Sequence, residues 1–294
     1  MTFLETMRAE VFVPGHISCV FRPVRSEDVL RTGSLGFGIR TSLGCNAIVE
    51  TRDDEKVRIF LNGAESDAPV TRLAIESMDI GKGFDIRLEH GLPLEQGFGA
   101  SASGTFAAAL CAASLSGMDR FEAVKAAHKA ECTLGGGLGD LAAINSGYGV
   151  PIRDAAGVQG ISGRTSDSNL SFPELTLIVF KEPLRTESVL SDEKDMKKIV
   201  EAGDVAMGRF SSERTIPGLF SAANEFSEYI GLESEEIKVA LRAIKQEGGH
   251  AGMCMLGNSI YSDIPMEKAR DMFPSASLFN TSSFSGPIEV TRTE

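Results

Sequence analysis

Between Gly97 and Gly104, in the stretch LPLEQGFGASASGTFAAAL (residues 92–110), every residue except Phe98 is Gly, Ala or Ser. A chain that gives up its side chains over eight consecutive positions leaves bare backbone for something to approach. The small residues continue as a helix-compatible run closed by Gly117, a natural position just past a helix end. A glycine-rich turn entering a helix is a physical solution for holding phosphate: N–H groups point at the anion, and the helix start adds roughly half a positive charge. Ser101 and Ser103 add hydroxyls for a phosphate oxygen or a divalent cation. The same composition would also serve simply to pack a helix closely on a sheet, and both readings stand at this point.

Two better-known nucleotide loops can be tested directly. The G-x-x-x-x-G-K-[ST] pattern fails, because no lysine occurs between Lys82 and Lys125. The G-x-G-x-x-G/A pattern is met by Gly97, Gly99 and Ala102, with Asp119 about 20 residues further on. That aspartate, however, sits at a helix start rather than the end of a second strand, and a long β segment precedes the loop. A dinucleotide site is a poor fit.

A formal net charge of −12 gives the chain no long-range positive field for nucleic acid or an anionic membrane. An anionic small molecule remains compatible, because local donors or a bound cation override the global field inside a cleft. Five scattered cysteines without CxxC spacing argue against a disulfide framework or structural zinc, and fit a reducing compartment. Residues 1–16 have no basic and apolar leader pattern, and no apolar run approaches the roughly 18 residues of a membrane span. The expectation is a cytoplasmic protein.

Residues 9–92 read mainly as β: AEVFVPGHISCVF as a strand interrupted at Pro14-Gly15, then alternating segments CNAIVETR, KVRIFLNG and FDIRLEHGLPL. Between them RTGSLGFGIRTSLG reads as a second bare-backbone segment, with Gly33, Gly36, Gly38 and Gly44. A helix begins at Asp119, with Glu122 at capping-box spacing, and places Phe121, Val124, His128 and Glu131 on one face until LGGGLGD stops it. LTLIVF is a short strand, residues 187–246 are mostly helical, and GGHAGMCMLGNSIYS and ASLFNTSSFSG close the chain with turns and strands. The polar segment 163–169 divides two lobes, 1–165 and 166–294.

A phosphoryl-transfer site needs a carboxylate for Mg²⁺ and a group to orient the attacking hydroxyl. Glu131 and Asp140 follow the small-residue loop closely in sequence and are the candidates, although a solvated helix charge and a turn former would explain each alone. Of four histidines, His16 and His250 are taken as structural, and no two have ligand spacing for a metal.

On these residues the chain resembles the GHMP kinases. PLEQGFGASAS is similar to the family's P-x3-G-L-G-S-S-A-A phosphate loop, and the order of elements agrees: VPGHI strand, loop, Glu-bearing helix, Gly-rich turn ending in Asp, late glycine motif GGHAGMCMLG. FVPGHISCVF, EDVLRTGSLGFGI, AHKAE, GLGD and MLGN look most like the pantoate-phosphorylating members of archaea. The resemblance implies an α+β, two-lobed fold, with a ribosomal protein S5-like N-terminal lobe and a ferredoxin-like C-terminal lobe, and ATP with Mg²⁺ between them. It implies phosphorylation of the 4-hydroxyl of (R)-pantoate, a small-molecule substrate, on a route to coenzyme A, by a homodimer. By the same resemblance Pro93, Gly97, Phe98, Gly99, Ala100, Ser101, Ala102 and Ser103 would hold the nucleotide and Ser101 and Glu131 the Mg²⁺. Asp140 would act on the hydroxyl, and Ser34, His128, Arg153 and Thr186 would meet pantoate, with Arg153 as a fork for its carboxylate. The alternatives are a kinase of the same fold for another hydroxy acid, such as mevalonate or homoserine, or a non-catalytic nucleotide-binding protein.

Overall fold

The β-branched and aromatic residues at the amino end build two long strands, β1 (Arg8–Val24) and β2 (Gly33–Thr51), which pair antiparallel over almost their whole length. The structure is a computed structural model that describes residues 6–134, 137–181 and 193–293. Pro14-Gly15 does not break β1; the register shifts there and again between Ser18 and Val20, so the strand bulges and re-aims its side chains while pairing continues. The glycine-rich segment expected to be bare backbone is β2 itself, joined to β1 by a short helical turn over Val29–Arg31.

Strands β3 (Val57–Leu61) and β4 (Ala64–Glu65) lead into helix α1 (Pro69–Ser77), which returns the chain to β5 (Phe84–His90), parallel to β3. The sequence reading missed α1; Pro69 at its first turn was the available sign. Helix α2 (Ala100–Ser116) then runs through the interior, closed by Gly117 in the left-handed region as expected. It is apolar all round and buried almost throughout, which a helix of alanines tolerates because their small side chains permit close approach on every side. Helix α3 (Arg120–Leu134) packs beside it. Asp119 caps α3 by accepting from the Phe121 amide at 2.7 Å, but Glu122 pairs with Lys125 instead of reaching back as a capping box requires.

A short helix α4 (Asp140–Ile144) is followed by β6 (Pro151–Ala155) and β7 (Arg164–Asp167), which attach to β2. A second, antiparallel sheet is formed by β8 (Leu175–Val179), β9 (Ala251–Met253), β10 (Ser259–Ser262) and β11 (Ser277–Thr281), in the order β11-β8-β10-β9. Helices α6 (Ile216–Ile230) and α7 (Glu235–Gln246) pack on its β9 edge, α5 (Glu193–Ser212) lies against α6 and the β1–β2 pair, and α8 (Met266–Met272) links β10 to β11. A final strand β12 (Val290–Thr293) returns to the first sheet beside β1, giving the order β12-β1-β2-β5-β3-β4. The architecture is α+β, with one apolar cluster between the first sheet and α1–α3 and another joining β1 and β2 to the second sheet and its helices.

Candidate active site

The loop before α2 holds Gly97 at φ 78° and Gly99 at φ 60°, left-handed conformations that a side chain strains. A side chain on Gly97 would also come within 2.9 Å of the Cys254 and Met255 carbonyls in the β9–β10 turn, so that turn forms a floor for the loop. Gln96 completes the joint: its carbonyl accepts from Ser259 Oγ at 2.7 Å, and its side-chain oxygen accepts from the Asn258 amide at 3.1 Å. The part of the late glycine motif that meets the loop is therefore MCMLGN. His250 lies apart, paired with Asp263 at 2.7 Å and stacked on Phe220.

No side chain caps the amino end of α2, where Gly99 is the N-cap residue, and the orphan amides of a helix start face outward there. Of the loop residues expected to bind nucleotide, Pro93 is half-buried, and Phe98, Ala100 and Ala102 turn their side chains inward. Ser103 is buried, its hydroxyl donating to the Ala100 carbonyl at 3.0 Å and its amide to the Gly99 carbonyl at 2.9 Å, so both of its donors are already used within the helix. Ser101 is exposed. Its Oγ donates to Glu131 Oε1 at 2.7 Å, and Glu131 Oε2 accepts from the Gly137 amide at 3.1 Å. Burial pushes the Glu131 carboxyl up to about 7, the nearby Asp140 charge adding to it against the two hydrogen bonds.

Asp140 opens α4 on the far side of Gly137. Its Oδ1 lies 2.6 Å from His16 Nδ1, and its Oδ2 rests against Gly137, where a side chain would overlap it. Burial raises its pKa, but the His16 hydrogen bond, with the Arg153 charge behind it, holds it below the usual carboxylate value. His16 is wholly buried and its pKa is lowered by desolvation, against the pull of Asp140. The sequence reading took His16 as structural, and its contact with Asp140 was missed; the sign available was its place in VPGHI, beside the expected strand irregularity.

Arg153, expected as a fork for the substrate carboxylate, lies on β6. It is fully buried, and each of its three nitrogens faces a protein acceptor: Nε the Ser34 carbonyl at 3.3 Å, Nη1 His16 Nε2 at 3.4 Å, Nη2 the Val20 carbonyl at 3.0 Å. Ser34 is buried nearby on β2. His128, on α3 one turn before Glu131, is buried beneath the β1–β2 connection, its Nε2 3.1 Å from the Val29 carbonyl. Ser101, Glu131, Asp140, Ser34 and Arg153 are thus brought together through Gly137 and the β1–β2 pair, with His128 one turn away. Thr186 lies outside the described residues.

Among the described residues no group of three His, Cys, Asp or Glu side chains stands ready for a metal ion. A magnesium ion beside phosphate does not need one, since it keeps several waters and takes one or two protein oxygens plus phosphate oxygens. The Ser101 hydroxyl and a buried Glu131 carboxylate, without a basic partner among the described residues, fit that demand.

An amide-lined helix start, a hydroxyl–carboxylate pair and a second carboxylate, set between a β-rich lobe and an α/β lobe, define a GHMP kinase, and residues 68–148 match the GHMP kinases N terminal domain. Among relatives, the pantoate kinase of Methanospirillum hungatei JF-1 is 31% identical over 271 residues, covering 88% of each chain. The pantoate kinase of Thermococcus kodakarensis is 31% identical over 288 residues, 92% of this chain and 94% of that one. The chain belongs to the pantoate kinase family. A solved structure described as a phosphotransferase related to the CoA biosynthesis pathway shares the fold, with TM-score 0.86 and 24% identity over 97% of this chain and 98% of that one.

Proposed function

We infer that the protein transfers the γ-phosphoryl group of ATP to the 4-hydroxyl of (R)-pantoate, giving 4-phosphopantoate and ADP. The observation that carries the chemistry is the set of Ser101, Glu131 and Asp140 around the uncapped start of α2. The substrate comes from the family: three relatives that match across about nine-tenths of this chain are pantoate kinases, which disfavours mevalonate, homoserine or a mere nucleotide binder.

In our reading the amides of residues 99–102 receive the phosphates, and Ser101 with Glu131 holds Mg²⁺. When bound, that ion neutralises charge on the transferred group. Asp140 Oδ2, the oxygen His16 leaves free, accepts the hydrogen bond of the pantoate hydroxyl. As that hydroxyl oxygen bonds to the γ-phosphorus, the bond to the bridging oxygen of ADP breaks and the hydroxyl proton passes to Asp140. Loose phosphoryl transfer asks mainly for orientation, so a carboxylate of depressed pKa suffices. We assign Ser34 and His128, both buried, to contact with pantoate; His128 sits beside the β1–β2 connection, with Nε2 3.1 Å from the Val29 carbonyl.

We place the division between the lobes at 165/166; that cut falls within β7, and the change of sheet comes a few residues later, between Asp167 and Leu175, with β12 returning to the first lobe. Among the described residues no helix is long and apolar enough to cross a membrane, and we assign the protein to the cytoplasm. Val205 and Tyr229, well exposed on α5 and α6, support a homodimer, which light scattering would test. The test of function is ADP release with Mg-ATP and, in turn, (R)-pantoate, pantothenate, mevalonate, homoserine and no acceptor. Turnover with pantoate alone is expected; turnover only with another acceptor overturns the substrate, and none with any acceptor overturns the kinase.

A further inference from the structure

Three side chains from three elements form a line beneath the site: Asp140 at the start of α4, His16 on β1 and Arg153 on β6. The histidine ring is held tightly. Its own backbone amide donates to the Phe98 carbonyl in the phosphate loop at 2.9 Å, and its Nε2 packs on Gly38, where any side chain would collide with the ring. The bulge at Pro14/Gly15 sets this orientation. Nothing in the proposed chemistry so far uses the ring's second nitrogen or the guanidinium behind it.

A guanidinium has only N–H groups to offer. Arg153 Nη1 at 3.4 Å from His16 Nε2 therefore requires a lone pair on Nε2, which puts the ring proton on Nδ1, pointing at Asp140 Oδ1. A second proton on the ring would aim an N–H at a cation. Charged groups facing the ring are Asp140 from α4, Arg153 from β6 and Arg40, its cross-strand neighbour on β2; Glu131 from α3 faces Asp140. Full burial of the ring, helped by the two cations, favours the neutral form against the pull of Asp140.

We propose that Arg153 and His16 are positioning residues for Asp140: Arg153 fixes the Nδ1–H tautomer of a neutral His16, which pins Asp140 Oδ1 and presents Oδ2 to the acceptor hydroxyl. Arg153 thereby acts through His16 on the base and not on the substrate carboxylate. This deepens the kinase reading above and rests on it for the role of Asp140. It also accounts for the full burial of an arginine at the floor of a site for an anionic substrate, where an exposed fork would otherwise be expected.

The first test needs no variant. Long-range ¹H–¹⁵N spectra of histidine-labelled protein should show His16 protonated at Nδ1 and not at Nε2, unchanged across roughly pH 6 to 8, where an ordinary histidine titrates. Protonation at Nε2, or a second proton taken up in that range, overturns the proposal whether or not the protein turns over. In kinetics, Arg153→Met should lower kcat on the order of 10- to 100-fold, as loss of an outer-shell partner does, with KM for pantoate little changed. The same variant should let His16 titrate. A raised KM at wild-type kcat would make Arg153 a substrate ligand and overturn the proposal. Should Arg153→Met not fold, the His16 pair decides: an asparagine amide can donate from near the Nδ1 position, so His16→Asn should recover much of the kcat that His16→Ala loses. Equal loss in both overturns the proposal. Silence of the wild-type enzyme would instead sink the kinase reading and leave the tautomer measurement standing.

Discussion

Asp140 Oδ2 occupies the space that a side chain on Gly137 would fill, while the Gly137 amide donates to Glu131 at 3.1 Å. One residue without a side chain therefore spaces the two carboxylates of the site. Gly137→Ala should push Asp140 away from its seat and cost roughly 10²-fold in kcat, since a displacement of about 1 Å at a reacting group is enough. KM for ATP should move far less, because the loop amides at α2 are untouched. Steady-state kinetics beside a thermal melt checks this; full turnover in the folded variant would show that the turn yields without moving Asp140.

Ser101 and Asp140 should fail differently when removed. Ser101→Ala deletes the hydroxyl that donates to Glu131 and that the proposed mechanism assigns to the Mg-nucleotide, so KM for Mg-ATP should rise as kcat falls. Asp140→Asn keeps the His16 contact in shape but removes the charge that receives the proton, so kcat should fall by roughly 10²-fold or more with Mg-ATP affinity kept. Calorimetric titration of Mg-ATP separates the two. Equal affinity losses in both variants would count against the division of roles.

Glu131 gives the ligand-free protein a pH signature. Its folded-state pKa, about 7, lies above the ordinary glutamate value, so between the two the folded state binds more protons than the unfolded one, and stability falls as pH rises through that window. At about 1.4 kcal/mol per pKa unit the loss amounts to about 3 kcal/mol above neutral pH. Glu131→Gln should therefore resist denaturant better than wild type at alkaline pH and show no such gain in acid, while losing turnover. A variant no more stable at high pH would mean that the carboxyl is not burdened by burial.

What could be read in the sequence was local. The phosphate loop, α2 with Gly117 as its stop, and the shared helix of His128 and Glu131 each depend on spacing within a few residues, and each is found in the structure. What was missed depends on pairing across the chain. His16 meets Asp140 across 124 residues and only because β1 bulges; the glycines of β2 looked like open backbone because the strand and ring that press on them are remote in sequence. Arg153 shows the limit most clearly. Its charge suggested a ligand for an anion, whereas its burial among the Ser34 and Val20 carbonyls and the His16 ring is set by three different strand positions. Helices α1 and α8 and strand β12 are short, and their apolar residues are too few to show a period.

Arg40 carries the remaining prediction. It is fully buried on β2, its guanidinium bonded to the carbonyls of Phe284 and Gly286 at 3.2 Å and of Tyr148 at 3.5 Å, and set over the Phe284 ring. Burial lowers its pKa to about 10, which still leaves it charged at neutral pH. These bonds fasten the segment after β11 to the first sheet, just before β12 pairs with β1. Arg40→Met preserves much of the volume but removes the donor from three carbonyls on half-buried residues, at about 1–3 kcal/mol for each that water does not reach. The unfolding free energy should drop by roughly 3 kcal/mol or more, with amide exchange quickening first in residues 282–293. Kinetic constants measured well below the melting point should change much less than in the Arg153 variant, because Arg40 bonds to the returning chain while burial and Arg153 still act on the His16 ring. A variant as stable as wild type would remove Arg40 as the fastener, and a large loss of kcat in the folded state would instead tie it to the His16 line across the β1–β2 pair.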